Sequence, residues 1–164
     1  MPNIPQHVSE AQIALFKSRE GYTPVCQQLR GDRPGVFTYG YGQTGCKPDA
    51  YISEPDADKL LREKVTTFED GVRHLVLVDL TQDQFDALVD FSYNVGLGKA
   101  GFGGSTLLKK LNAGDYEGAD EEFQKWVMAD GRVLQGLVAR RAEEAQEFKE
   151  GIDGLADSED EIDA

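Results

Sequence analysis

The first sixty residues change from a helical spacing of apolar positions to a β-type pattern. Ser9 is a suitable N-cap, apolar residues follow at helical intervals, and Gly21 is a natural stop. The pattern therefore predicts a helix over residues 10–20 that ends on Glu20. Residues 21–52 contain Gly, Pro, Thr and Tyr with short β-type runs, which predicts a small antiparallel sheet with irregular loops.

From Ser53 onward the apolar spacing is helical almost to the end of the chain. One long helix opens there, and Thr81 has the capping residues of another helix start. Ser105 and Asp115 are suitable N-caps for two shorter helices, and a last helix is predicted over about residues 136–149.

These elements predict an α+β fold in a single domain over residues 1–150. The small antiparallel sheet lobe covers about residues 21–52, and a mainly helical lobe covers about residues 53–150 together with the N-terminal helix. Two lobes of this kind commonly leave a cleft between them, and ligands commonly bind in clefts. We therefore expect the active site in such a cleft.

The chain is strongly acidic, with 30 Asp and Glu against 17 Lys and Arg and a formal net charge of -13. A surface of this sign argues against nucleic acid and anionic lipid as partners. Residues 151–164 carry six acids and no base, so without them the net charge is -7. We predict that this tail is disordered, and it serves either as a solubilising segment or as a docking segment.

The cysteines, the histidines and the apolar runs argue against a metalloprotein, a membrane-spanning protein and a Sec-exported protein. Cys26 and Cys46 are the only cysteines, and His7 and His74 do not have the spacing of metal ligands, so we expect no metal and no cofactor. No apolar run is long enough to span a membrane, and the N-terminus lacks the features of a Sec signal. We therefore expect synthesis in the cytoplasm.

Glu20 and Asp32 are the candidate acid–base residues. Glu20 ends a predicted helix, where the negative end of the helix dipole favours a protonated carboxyl, as a general acid requires. Asp32 and Thr38 flank the turn at Pro34-Gly35, so a carboxylate and a hydroxyl can face each other and orient one water. On these residues alone, an exposed helix-end glutamate and ordinary turn chemistry remain as alternatives. One protonated acid and one water-orienting carboxylate are what an inverting glycosidase uses.

Longer motifs then identify a family. Glu20-Gly21 is followed by Asp32 and by Thr38-Tyr39-Gly40-Tyr41-Gly42, and three longer motifs follow over residues 80–96, 105–116 and 136–143. In these motifs and their order the chain resembles the phage-type lysozymes, the endolysins of glycoside hydrolase family 24. The resemblance covers about residues 9–149 and implies a lysozyme-like fold.

The resemblance also implies a substrate and a mechanism. The substrate would be the glycan strands of peptidoglycan, cleaved at the β-1,4 bond between N-acetylmuramic acid and N-acetylglucosamine. Glu20 would protonate the leaving oxygen, Asp32 would act on the attacking water, and Thr38 would help to place that water. If the reaction inverts the anomeric centre, the two carboxyl groups should lie ~6.5–9.5 Å apart.

Further residues become candidates for binding or support. Tyr39, Tyr41 and Gln43 follow Thr38 in the chain and are candidates for contacts with sugar rings. Some relatives pair the catalytic glutamate with an arginine of the C-terminal helix, which makes Arg140 and Arg141 candidates for that partner. The alternative for these two arginines is ordinary salt bridging along a helix surface.

The chain departs from the family pattern at two places near the candidate site. The loop between Glu20 and Asp32 is longer than is usual, and Gln43 stands where many relatives have a histidine. Cys26 and Cys46 flank the Asp32 loop, either as two thiols or as one bridge. Such a bridge would span 20 positions and stabilise the fold by ~3 kcal/mol in the chain-entropy model.

The leading functional hypothesis is a monomeric endolysin that acts on the cell wall after holin-type release during phage lysis. The alternative is a virion-associated or degenerate wall-binding module with little turnover, which the departures at the loop and at Gln43 suggest. A third hypothesis is a lysozyme fold that acts on another protein through its acidic tail.

Overall fold

The computed structural model describes the backbone of residues 1–162 and the side chains of residues 1–154. The described chain divides into two compact units. The first unit is Ser9–Thr67, and the second combines Met1–Val8 with the chain from Phe68 onward. All the predicted site residues from Glu20 to Gln43 therefore lie in one unit, and Arg140 and Arg141 lie in the other.

The first unit contains one helix, a three-stranded sheet and the start of a long second helix. Its elements are α1 (Glu10–Glu20), β1 (Thr23–Gln27), β2 (Thr38–Gly40), β3 (Gln43–Thr44) and the first part of α2 (Glu54–Leu75). The Ser9 side chain accepts a hydrogen bond from the Gln12 N–H, which caps α1 as predicted. The helix ends on Glu20 because Gly21 takes a positive φ of 70°, and its N–H donates to the Lys17 carbonyl.

A disulfide fixes the sheet of the first unit. The three strands pair antiparallel in the order β1-β2-β3, as the sequence predicted for this region. Cys26 of β1 is bonded to Cys46, and Cys26 is 2% exposed. The backbone of Cys26 also exchanges hydrogen bonds with Asp49 and Ala50. The bridge therefore closes the chain around the Asp32 loop at a buried and well-bonded position.

The second unit is helical and is built around α3. Its elements are the rest of α2, α3 (Gln82–Val95), α4 (Thr106–Asn112), α5 (Tyr116–Glu122), β4 (Met128–Ala129), β5 (Arg132–Val133) and α6 (Gln135–Ile162). Thr81, Ser105 and Asp115 cap α3, α4 and α5 as predicted, and Thr81 forms a full capping box. The fully buried Phe91 of α3 makes edge-on ring contacts, which hold this core together.

The structure corrects three expectations about organisation. The helix α1 groups with the sheet rather than with the helical unit. A hairpin, β4-β5, stands where the sequence analysis placed no strands. The last helix continues to Ile162, so the backbone of residues 151–162 is helical where disorder was predicted. Asp163, Ala164 and the side chains of residues 155–164 lie outside the described residues, and so does most of the predicted acidic docking surface.

Candidate active site

Glu20 is placed by the end of α1 and by the turn that follows β2. The Glu20 side chain is exposed, and its carboxyl lies against the backbone of Gly42. A Cβ atom built on Gly42 would lie only 2.4 Å from Glu20 Oε2 and 3.1 Å from Glu20 Cδ. Gly42 also has a φ of +81°, which side-chain-bearing residues rarely adopt. A glycine is therefore what permits the carboxyl to approach this turn.

Asp32 and Thr38 form the pair that the sequence predicted. Thr38 Oγ1 donates to Asp32 Oδ2 at 2.9 Å, and the Leu29 N–H donates to the same oxygen at 2.9 Å. Thr38 is 4% exposed, so the hydrogen bond to Asp32 is shielded from water on one side. Within the described residues, Asp32 Oδ1 has no hydrogen-bond partner in the protein. This oxygen is therefore available to accept a hydrogen bond from a water or a substrate.

The three residues predicted to contact sugar rings differ in exposure and in the hydrogen bonds that they already make. Tyr39 is half-buried in β2. Tyr41 is 7% exposed, and its hydroxyl donates to Glu54 Oε1 at 2.9 Å. Gln43 Oε1 accepts the Tyr41 N–H at 2.7 Å, while its Nε2 is buried and has no hydrogen-bond partner in the described chain. Tyr41 and Gln43 are thus used to build the turn, and Tyr39 is the better placed of the three for an external contact.

The Tyr41 side chain is part of a charged cluster between α1 and α2. Lys17 Nζ lies 3.1 Å from Glu54 Oε1, 2.6 Å from Asp58 Oδ1 and 5.3 Å from the centroid of the Tyr41 ring. The hydrogen bond from Tyr41 and the bond from Lys17 lower the pKa of Glu54. The Asp58 carboxylate raises the pKa of Lys17, and burial raises the pKa of Tyr41.

Arg140 and Arg141 lie in an ion-pair network of α3 and α6 rather than on a helix surface. Arg140 Nε lies 3.1 Å from Asp90 Oδ2. Arg141 is 1% exposed, lies 2.7 Å through Nε from Glu144 Oε2, and stacks over the Phe91 ring at 5.0 Å. Burial raises the pKa of Glu144 to about 10, Asp90 adds to the rise, and Arg141 opposes it. The predicted pairing of either arginine with Glu20 stays a prediction.

Metal binding and membrane crossing find no support in the part of the chain that is described. No group of three or more His, Cys, Asp or Glu side chains there is arranged to hold a metal ion. None of the helices described combines the length and the apolar character that a membrane crossing requires.

Sequence reasoning missed three contributors to the site. Gly42 was treated as part of a motif, although its positive φ and its contact with Glu20 carry a specific role. Lys17 and Glu54 were not considered, and their partner Tyr41 lies far from Lys17 along the chain. No local signal marks such a cluster, because it depends on how α1, the turn and α2 pack.

Comparisons with known proteins place the chain in one family. A sequence model described as phage lysozyme matches residues 17–144. The endolysin of Bacillus phage B103 is 47% identical over 88% of this chain, and the match covers 55% of that protein. The endolysin of Acyrthosiphon pisum secondary endosymbiont phage 1 is 38% identical over 87% of this chain and 98% of its own length.

The chain thus spans about half the length of the Bacillus phage relative and nearly all of the second relative. Among solved structures, the muramidase domain of SpmX from Asticaccaulis excentricus has a TM-score of 0.74 and 36% identity. That comparison covers 88% of this chain and 98% of the other, which confirms the predicted lysozyme-like α+β fold. From the matched residues 17–144, the identities and the shared fold, the chain belongs to the phage lysozyme family.

Proposed function

We propose that the protein is an endolysin that hydrolyses the β-1,4 bond between N-acetylmuramic acid and N-acetylglucosamine in peptidoglycan. The observation that carries the proposal is the hydrogen-bonded Asp32–Thr38 pair, in the same compact unit as the helix-end Glu20. Membership of the phage lysozyme family supports the same reaction class.

In this reaction Glu20 is the general acid. Glu20 is an exposed residue at the end of α1, so its side chain is accessible to a bound glycan. Gly42 leaves the room in which that carboxyl lies against the turn, and this contact defines its position. A proton donor in a fixed position increases the rate because less orientational freedom is lost when the transition state for proton transfer forms.

Asp32 is the group that activates water. Its Oδ2 is fully occupied by the Thr38 hydroxyl and the Leu29 N–H, while Oδ1 has no partner within the described chain. A water bound to Oδ1 would therefore be held in one orientation and would lose its proton to Asp32 as it attacks. This division of labour suits inversion, for which the two carboxyls are ~6.5–9.5 Å apart so that one water fits.

The remaining candidates take supporting roles. Tyr39 contacts the sugar rings, while Tyr41 and Gln43 act indirectly by holding the turn that contains Gly42. We further propose that the protein acts as a monomer on the wall of the bacterial host after holin-type release from the cytoplasm. A wall-binding module without turnover is the alternative, because Gln43 replaces a histidine that could titrate.

The deciding experiment measures new reducing ends released from purified peptidoglycan. The wild-type protein should release them, and Glu20→Gln and Asp32→Asn should each abolish release while their melting temperatures stay close to wild type. Glu63→Gln removes a carboxyl from the exposed side of α2 and serves as the matched control, with full activity expected. Retained binding of peptidoglycan by a wild-type protein that releases no reducing ends would instead establish the binding module.

A further inference from the structure

The position of the Glu20 carboxyl depends on two separate segments of the first unit. One is the last turn of α1, which carries Glu20, and the other is the turn over residues 40–43, which presents Gly42 to it. A displacement of either segment changes where the acidic proton lies relative to a bound glycan. Whatever connects these two segments therefore controls the general acid.

One side-chain oxygen joins the two segments, in addition to the antiparallel pairing of Thr23 with Gly40 and the contact between the Tyr22 and Tyr41 rings. Glu54 Oε1, at the start of α2, accepts hydrogen bonds from Tyr41 Oη at 2.9 Å and from Lys17 Nζ at 3.1 Å. Tyr41 directly precedes Gly42 in the chain, and Lys17 lies three residues before Glu20 on α1. The ammonium of Lys17 also lies 5.3 Å from the centroid of the Tyr41 ring, within the range of a cation–π interaction.

Both ends of this connection are fixed to the backbone next to the contact. At the turn, Gln43 Oε1 accepts the Tyr41 N–H at 2.7 Å, and Tyr41 is 7% exposed. At the helix, the carbonyl of Lys17 accepts the N–H of Gly21, the residue after Glu20, at 2.9 Å. A movement of the Tyr41 or the Lys17 side chain is therefore transmitted to the backbone beside Gly42 or Glu20.

The hydroxyl of Tyr41 is the most informative part of the connection. Glu54 is about half exposed in its side chain, so its ion pair with Lys17 alone is a weak constraint. Tyr41 is 7% exposed and its hydroxyl donates to a carboxylate, which makes a stronger hydrogen bond than a neutral acceptor would. Its removal changes no formal charge in the cluster, so it tests the position of Glu20 more directly than the removal of Lys17 or Glu54 would.

We propose that Lys17, Glu54 and Tyr41 form a positioning cluster, called here the Glu54 cluster, that holds the Glu20 carboxyl against Gly42 for proton transfer. The proposal rests on the proposed function for its catalytic consequence. The placement of Glu20 itself can be measured without turnover. The three residues touch neither the substrate nor the reacting atoms, so they act through Glu20.

The test compares Tyr41→Phe with Tyr116→Phe. Tyr116 also donates its hydroxyl to one protein oxygen, the Asp79 carbonyl at 2.7 Å, but it belongs to the other unit. Tyr41→Phe should lower kcat about tenfold on soluble glycan strands with KM within about twofold, because a misplaced donor slows the chemical step. Tyr116→Phe should leave both constants unchanged, with a change in melting temperature similar to that of Tyr41→Phe.

Two more variants test whether an acceptor oxygen at residue 54 is what matters. Glu54→Gln keeps an oxygen for the Tyr41 hydroxyl and should retain most of the wild-type kcat. Glu54→Ala removes that oxygen and should match Tyr41→Phe, and the double variant Tyr41→Phe with Glu54→Ala should lose no more than either single variant. Additive losses would show that the two residues act separately, and they would overturn the proposal.

A spectroscopic measurement separates this proposal from the proposed function. The 13C resonance of the Glu20 side-chain carboxyl should move in Tyr41→Phe and stay in place in Tyr116→Phe, whether or not the protein turns over substrate. If the wild-type protein released no reducing ends, the proposed hydrolase would be refuted. A shift of the Glu20 resonance in Tyr41→Phe would still support the cluster. An unmoved resonance, or a Tyr41→Phe variant that loses melting temperature but not kcat, would refute the cluster.

Discussion

The replacement of Gly42 by alanine tests whether the Glu20 carboxyl must lie where the structure places it. Gly42 and Gly45 are a matched pair, because their φ values are +81° and +82°. Alanine at either position is strained in the backbone, on the order of 1–2 kcal/mol, because both φ values lie in the left-handed region. A Cβ at Gly45 meets nothing within 4 Å, whereas a Cβ at Gly42 lies 2.4 Å from Glu20 Oε2.

The size of the effect follows from that contact. Ordinary van der Waals contact for a Cβ begins at 3.4 Å, so the Glu20 carboxyl would have to move by about 1 Å to accept the new methyl group. A misplacement of about 1 Å can reduce a catalytic rate about 100-fold, which corresponds to about 2.7 kcal/mol of lost transition-state stabilisation. Backbone strain affects both variants, so Gly45→Ala serves as the control for it.

The assay measures reducing-end release and thermal unfolding for both variants. Gly42→Ala should have a kcat about 100-fold below that of Gly45→Ala, while the two proteins melt within a few degrees of each other. Equal kcat values in the two variants would refute the argument, because they would show that Glu20 need not lie against this turn. A large loss of kcat in Gly45→Ala as well would assign the effect to backbone strain instead.

Three further outcomes are expected. The bridge joins Cys26 and Cys46, which are 20 positions apart in the chain, and its reduction should lower the free energy of unfolding by about 3 kcal/mol. Unfolding curves with and without reductant measure this loss, and a thiol titration checks that the bridge is reduced. Thr38→Val removes the hydroxyl that donates to Asp32 and should lower kcat about tenfold or more, measured by reducing-end release. Burial and nearby acids raise the pKa of Glu147 from 4.5 to about 8, so its native state retains a proton that the unfolded chain releases. The free energy of unfolding should therefore decrease as the pH rises from 4.5 to about 8. Glu147→Gln should make this decrease smaller in melting curves recorded from pH 5 to pH 8.

Local signals predicted the elements that hold the two acidic residues. The cap at Ser9 and the glycine at Gly21 fixed both ends of α1, because each end of a helix needs a specific partner for its unpaired backbone groups. The Asp32–Thr38 hydrogen bond was also predictable, since a turn between them brings the two side chains to the same side.

The hairpin β4-β5 was missed although its signal is present. Asp130-Gly131 joins the two strands, and both residues have positive φ values, 51° and 75°. This dipeptide is a strong hairpin signal because such a turn requires residues that tolerate positive φ. The strands are only two residues long, however, so an alternation of apolar and polar residues cannot be recognised in them.

The burial of Arg141 had no local signal at all. A pair of arginines in a polar helix is typical of a surface, and sequence alone does not show that α3 supplies Phe91 and Asp90 to this face of α6. The Glu54 cluster is similar, because its members come from three elements. Long-range packing decides both cases, and a single sequence carries little information on it.

The acidity of the chain takes on a different meaning once its carboxyls are located. The formal charge of -13 counts every carboxyl as ionised. Burial raises the pKa of Glu147 to about 8, so this carboxyl retains its proton at pH 7 and adds no negative charge to the native protein. Other buried acids are neutralised by cations, as Glu122 is by Lys110 and Lys125. A part of the acidity therefore belongs to the helical packing, and the repulsion of the proposed anionic substrate is smaller than the composition suggests.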